Sequence, residues 1–201
     1  MEYGLARVNS QAGEVEKQTE IYRKMGSPAD STWRLIGPFP IGNHSGFDYE
    51  FPPETKIDIN VSYQMKNRSI RWSSQTDGYT DGYMDFTKIY SENSWSVAYA
   101  LVYVHSPIER VAQIRLGTDE ACKLWLNNKK IWQHYIKNEA MIDRDLITVL
   151  LHPGYNKILL KVTNNYGDWG FFFRVTDEGG NGFPDVTFHS YDEVERSFAR
   201  R

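Results

Sequence analysis

Six aromatic residues fall in or beside turn-forming sequence: Tyr79, Tyr83, Trp132, Tyr135, Tyr166 and Trp169. A ring held at a turn can stack on the apolar face of a sugar, while a neighbouring Asn, Asp or Arg bonds the hydroxyls. The same rings can instead cap the end of a core, since Trp and Tyr favour half-buried positions. Turn acids form a second group: Asp48 with Glu50, Asp77, Asp81, and Asp119 with Glu120. Carboxylate oxygens are the ligands that Ca²⁺ takes. Asp48, Asp77, Asp81, Asp119 and Glu120 are therefore candidate metal ligands, although none has EF-hand spacing and Asp is also a turn former in its own right.

Other chemistries find less support. Asp143 and Asp145, or Asp119 and Glu120, are the carboxylate pairs a glycoside hydrolase would need. Adjacent or alternate residues on a hairpin rarely converge on one cleft. His44, His105, His134, His152 and His189 form neither an HxH nor an HExxH pattern. No Gly-x-Ser-x-Gly elbow and no phosphate-cradling loop occurs. Cys122, the single cysteine, lies in an apolar run and reads as a small buried hydrophobe. The expectation is a chain without a catalytic site.

Net charge argues in the same direction. The chain carries 23 Lys and Arg against 26 Asp and Glu, a formal charge of −3. Nucleic-acid binding needs a basic face to neutralise phosphates, so it is not expected. No run approaches the ~20 apolar residues that span a bilayer. Met1-Glu2-Tyr3-Gly4 lacks the basic and apolar segments of an export signal.

The elements that must hold these residues are mostly strands. Residues 1–30 read as an N-terminal helical segment, with Val15, Tyr22 and Met25 at helical spacing, Ser10 as a candidate cap, and Gly26 and Pro28 as the stop. Its apolar stripe is thin, so it either packs on the strands after it or ends a preceding domain. Residues 31–180 carry many short apolar or alternating runs. These are Trp33–Phe39, Ser69–Ser73, Met84–Tyr90, Ser96–Val104, Val111–Gly117, Lys123–Trp132, Leu146–Leu151, Lys157–Val162 and Trp169–Val175. Turn signals separate them, including Gly42-Asn43, Ser45-Gly46, Asp81-Gly82, Asn127-Asn128 and Pro153-Gly154. Residues 40–60 form a long connection, of the length that is more often functional than merely connective. Strands without interleaved helices predict an all-β sandwich. Residues 181–201 form a tail in which Tyr191–Phe198 reads as a short helix.

Gly117-Thr118-Asp119-Glu120 followed by Leu124-Trp125-Leu126-Asn127-Asn128-Lys129 resembles the corresponding stretch of galactose-binding-domain-like β-sandwich modules, including protective-antigen-type sugar-binding modules. Leu150-Leu151-His152-Pro153-Gly154, Trp169-Gly170-Phe171 and the opening Ile36-Gly37-Pro38-Phe39 extend the likeness over residues 33–177. Asn128 replaces the usual hairpin Gly, and Ala121 replaces the Gly after the acidic pair. The resemblance implies a jelly-roll β-sandwich and a non-catalytic, carbohydrate-associated accessory module of a large bacterial exported protein. That setting would be extracellular or periplasmic, with a glycan and other domains of the same protein as partners. A structural or protein–protein interaction module, and a small glycan-active hydrolase, stay as alternatives.

Overall fold

The computed structural model describes residues 12–41, 46–65, 68–74, 77–91, 94–135 and 139–199. The chain is an all-β jelly-roll sandwich with a helix at its N-terminal side. Helix α1 spans Ala12–Met25 and leads into β1, Arg34–Pro40. One-turn helix α2 (Pro52–Thr55) and hairpin β2–β3 (Ser62–Gln64, Ser69–Arg71) come next. After them lie β4 (Tyr79–Thr80), β5 (Tyr83–Asp85), the one-turn α3 (Phe86–Ile89), β6 (Ser96–Ser106) and β7 (Arg110–Thr118). Strands β8 (Cys122–Leu126), β9 (Lys129–His134), β10 (Asp145–Leu151), β11 (Gly154–Asn164) and β12 (Gly170–Thr176) complete the sandwich. Strand β13 (Thr187–His189) and α4 (Tyr191–Ala199) close the chain.

The first sheet has the order β1-β6-β11-β8-β9, with β13 also paired to β6; the second runs β10-β7-β12-β5-β4. Apart from the β4–β5 and β8–β9 hairpins, successive strands of the sandwich cross between the sheets, and every ladder is antiparallel. The main core fills the gap, with Trp33, Leu124, Leu160, Ile114, Phe171 and Phe173 among its members. Trp33 meets the rings of Phe171 and Phe173 edge-on at 5.2 and 5.5 Å.

A second core lies on the outer face of the first sheet. Ile36, Phe39, Tyr99, Leu101, Trp125 and Leu159 are covered there by Phe51, Ile70 and Trp72. This explains why β6 reads as almost unbroken apolar sequence: both of its faces are buried. The long connection at residues 40–60 thus has a packing role, supplying Ile41 and Phe51 to this core. Lys161 fixes it. Its fully buried ammonium donates to the carbonyls of Phe47 (3.2 Å) and Tyr49 (2.6 Å) and to Glu54 Oε1 (2.6 Å).

Several turns obey their sequence signals. Asn127 and Asn128 take φ of 50° and 69° at the β8–β9 tip, and Asp81 and Gly82 take 51° and 82° at the β4–β5 tip. The run Met84–Tyr90 departs from the expected strand. It breaks after Asp85, because that carboxylate caps the Thr87 amide at 3.0 Å and Phe86 turns into the core. Strand β13 carries no alternation that would announce it. The predicted cap Ser10, His44 and the turn residues Gly42-Asn43 and Ser45 lie outside the described residues.

Candidate functional site

Four segments meet at one end of the second sheet: strand β5, the β7–β8 turn, the approach to β10, and the loop before β12 with the first residues of that strand. They form an open cleft of about 360 Å³ lined by Tyr83, Asp85, Asp119, Glu139, Ala140, Asp168 and Phe172. Glycines set its walls. Gly170 leaves room for the Tyr83 ring, which a Cβ there would strike. Gly117 lets the Met141 carbonyl close on the end of β7, and this brings Glu139 and Ala140 to the rim. Arg144 holds that segment down by donating to the carbonyls of Thr118 (3.1 Å) and Glu139.

The floor is aromatic. Tyr83 and Phe172 pack at 4.8 Å between ring centroids, and both rings are half-buried. Burial, then the charges of Asp119, Asp85 and Asp168, push the Tyr83 phenol well above its usual range, so it stays a donor.

The rim is acidic. Asp119 is only 7% exposed, and its amide donates to the Gly170 carbonyl at 3.0 Å. Among the described residues no donor hydrogen-bonds its carboxylate. Desolvation is the main cause, with Glu120 and Asp168 adding to it, that raises its carboxyl to about 6. Asp85 is committed to its cap on Thr87 and to Lys88 at 3.3 Å. Glu120, with φ of 58°, turns away and accepts the Asn165 amide at 2.7 Å, which fixes the loop carrying Tyr166 and Asp168.

The sequence candidates divide accordingly. Tyr83 and Asp119 meet in the cleft, and Tyr166 stands 72% exposed in the loop that supplies Asp168. Trp169 is fully buried in the main core against Phe86 at 4.9 Å, out of reach of any ligand. Tyr79 donates to the Pro28 carbonyl at 2.8 Å and packs on Tyr22, anchoring the N-terminal segment. Trp132 packs on the main core from the edge strand β9. Tyr135 is exposed but sits against Phe47, apart from this cleft. Asp48 borders a different groove, beside Tyr49 and Phe51. Asp77 and Asp81 belong to the β4–β5 region but do not line the cleft. The five acids considered for a cation thus do not assemble, and no group of three or more His, Cys, Asp or Glu among the described residues is placed to hold a metal.

Sequence reasoning singles out none of Asp85, Glu139, Asp168 and Phe172 as site residues. Phe172 lies in a run of three Phe whose alternation turns its middle ring outward, which is legible in principle. Glu139 has no such signal, because only the close approach at Gly117 brings it in.

No known protein family and no curated protein matches this sequence. Among solved structures the chain is similar to the PA14 domain of the antifreeze protein MpAFP, at 12% identity and a TM-score of 0.38, over 47% of this chain and 52% of that one. It is also similar to a β-glucosidase from Kluyveromyces marxianus, at 12% identity and a TM-score of 0.47, over 87% of this chain and 20% of the enzyme. A GH31 α-xylosidase from Xanthomonas citri is similar at 14% identity and a TM-score of 0.36, over 65% and 16%. The chain therefore spans about half of the first and a fifth or less of the two enzymes.

Proposed function

We propose that this chain is a non-catalytic, carbohydrate-associated binding module and that the cleft over Tyr83 takes one sugar residue of a glycan. The observation that carries the reading is the pairing of an aromatic floor with a carboxylate rim: Tyr83 and Phe172 below, Asp119, Glu139 and Asp168 around. A sugar offers both complements, an apolar C–H face for the rings and hydroxyl donors for the carboxylates. The volume of about 360 Å³ lies at the small end of ligand pockets. Exposed Tyr166, in the loop that supplies Asp168, offers a further ring for a neighbouring unit of the glycan.

The test is a glycan array followed by calorimetry on the best binder. Asp168→Ala and Glu139→Ala change rim residues that support no core contact. Each is expected to weaken binding about tenfold, the loss of a charge-assisted hydrogen bond. Absence of binding across the array at high protein concentration would overturn the reading.

One observation favours a second reading. Asp119, held near 6, shares the cleft with other carboxylates, the pairing a glycosidase uses as acid and base. Slow glycan hydrolysis by the wild type that Asp119→Asn abolishes would select it. A Ca²⁺ ion would be a different partner for Asp119. A melting temperature raised by Ca²⁺ and lowered by EDTA would select that.

A further inference from the structure

We propose that the outer edge of β10 is a self-association surface, where a second copy of this chain pairs antiparallel across a two-fold axis at Thr148. A sheet edge is a row of unpaired N–H and C=O groups, and proteins that stay monomeric blunt it with charge, proline, irregularity or shortness. Every other edge of the two large sheets is blunted. Strand β1 carries Pro38 and Pro40, has a shifted register between Ile36 and Phe39, and is bridged at Leu35 by Ser73. Strand β9 opens with exposed Lys129 and Lys130 and pairs through an irregularity at Leu124/Trp125. Strands β4 and β13 have two and three residues.

Strand β10 has no proline, irregularity or shortness, and a single charge, at its first residue. It runs seven residues in unbroken register with β7, from Asp145↔Leu116 to Leu151↔Arg110. It contains no Pro or Gly. Its only charged residue, Asp145, points inward to the His134 ring at 2.9 Å. Among the described residues no backbone group outside β7 bonds to Leu146–Leu150. The outward positions are apolar or neutral: Leu146 (51% exposed), Thr148 and Leu150 (44%), with Val111 (59%) opposite Leu150 on β7.

The partner is set by the symmetry of that stripe. Leu146-x-Thr148-x-Leu150 reads the same from either end. A two-fold axis at Thr148 therefore sets Leu146 of one copy against Leu150 of the other, twice, and extends the second sheet from one molecule into the next. A dyad brings identical surfaces together, which repels if they are charged, and here they are not. It also brings the Arg144 end of one strand to the Glu109–His152 end of its partner. A strand of this length is about 24 Å long, and with a sheet layer about 10 Å deep the pairing buries only a few hundred Å² per copy. That is below a standard specific interface, so the dimer is concentration-dependent rather than permanent.

Sedimentation velocity on the whole chain, from low micromolar to near-millimolar, reads this directly. The wild type is expected to shift from monomer to dimer with rising concentration. Thr148→Lys, which sets two ammonium groups against each other on the axis, is expected to stay monomeric with an unchanged melting curve. Thr148→Cys gives a second readout, since directly opposed residues lie about 4.5–5.5 Å apart at Cα, within disulfide reach. The native Cys122 is fully buried and does not compete. Thr148→Cys is expected to form a disulfide dimer under mild oxidation much faster than Thr187→Cys, another exposed threonine, on β13. A wild type that stays monomeric throughout overturns the proposal, as does a dimer that survives Thr148→Lys, or equal crosslinking of the two cysteine variants.

Discussion

Asp119 shows how one side chain sets both stability and site chemistry. Its carboxyl is raised to about 6 in the fold, chiefly by desolvation, against about 3.9 in an unfolded chain. Above about pH 6 it is ionised in both states, and the folded state bears the whole cost of a poorly solvated charge. Below about pH 4 it is neutral in both, and the cost is gone. Asp119→Asn, neutral at every pH, should therefore stabilise the protein by roughly 1–3 kcal/mol at neutral pH and by almost nothing near pH 4. Urea denaturation of both proteins across that range measures it, and a gain independent of pH would refute the cause assigned here. Glycan binding should fall in the same variant, so stability and binding move in opposite directions. Lys161 is the contrasting case. Its charge is fully buried but paired to Glu54, which also accepts the Tyr99 hydroxyl. Removing one member strands the other, so Lys161→Met should cost about 3–5 kcal/mol. Lys161→Met with Glu54→Leu should recover much of that loss, a double-mutant cycle that chemical denaturation can close.

At the scale of elements, strands are legible because alternation and turn residues agree. Asn127-Asn128 and Asp81-Gly82 take the positive φ their types favour, and both hairpins form. The fate of individual rings is not legible. Trp169 and Tyr166 both flank Gly167-Asp168, yet one is fully buried and the other 72% exposed. Sequence marks that stretch as a turn, whereas packing against Phe86 and Tyr90 decides which ring goes inward. Lys161 misleads similarly, since a Lys in a strand reads as solvent-facing until the connection at 46–55 is known to cover that face. The cleft depends on such an approach between elements. At Gly117 any Cβ would collide with the Met141 carbonyl. Gly117→Ala should push the 139–142 segment outward and cost about 1–3 kcal/mol. It should also weaken glycan binding by displacing Glu139, although it alters no residue lining the cleft. Calorimetry showing unchanged affinity would mean that segment does not shape the site.

Across the whole molecule, the N-terminal helix raises a question that its thin apolar stripe leaves open: whether it packs on the sandwich or ends something else. Its last turn is stitched to the sandwich by main-chain hydrogen bonds. The Gly182 amide donates to the Lys24 carbonyl at 2.8 Å, and the Val175 amide donates to the Gly26 carbonyl at 2.7 Å. Arg174 adds a bond to the Met25 carbonyl at 3.2 Å, and Tyr22 packs edge-on against Tyr79. Gly26 is the pivot. It sits at φ of 72°, and a Cβ there would strike the Val175 carbonyl, so strain and collision act together. Val175 belongs to β12, the strand beside β5 and its Tyr83. Loosening the helix should therefore loosen the sheet that holds the cleft, and the two should unfold together. Calorimetry of the wild type should show one transition. Gly26→Ala should lower its midpoint by about 5–15 °C, the size expected for a few kcal/mol in a chain of this length. A variant that instead resolves two transitions, with the upper one at the wild-type temperature, would show that the helix rests on the sandwich without supporting it.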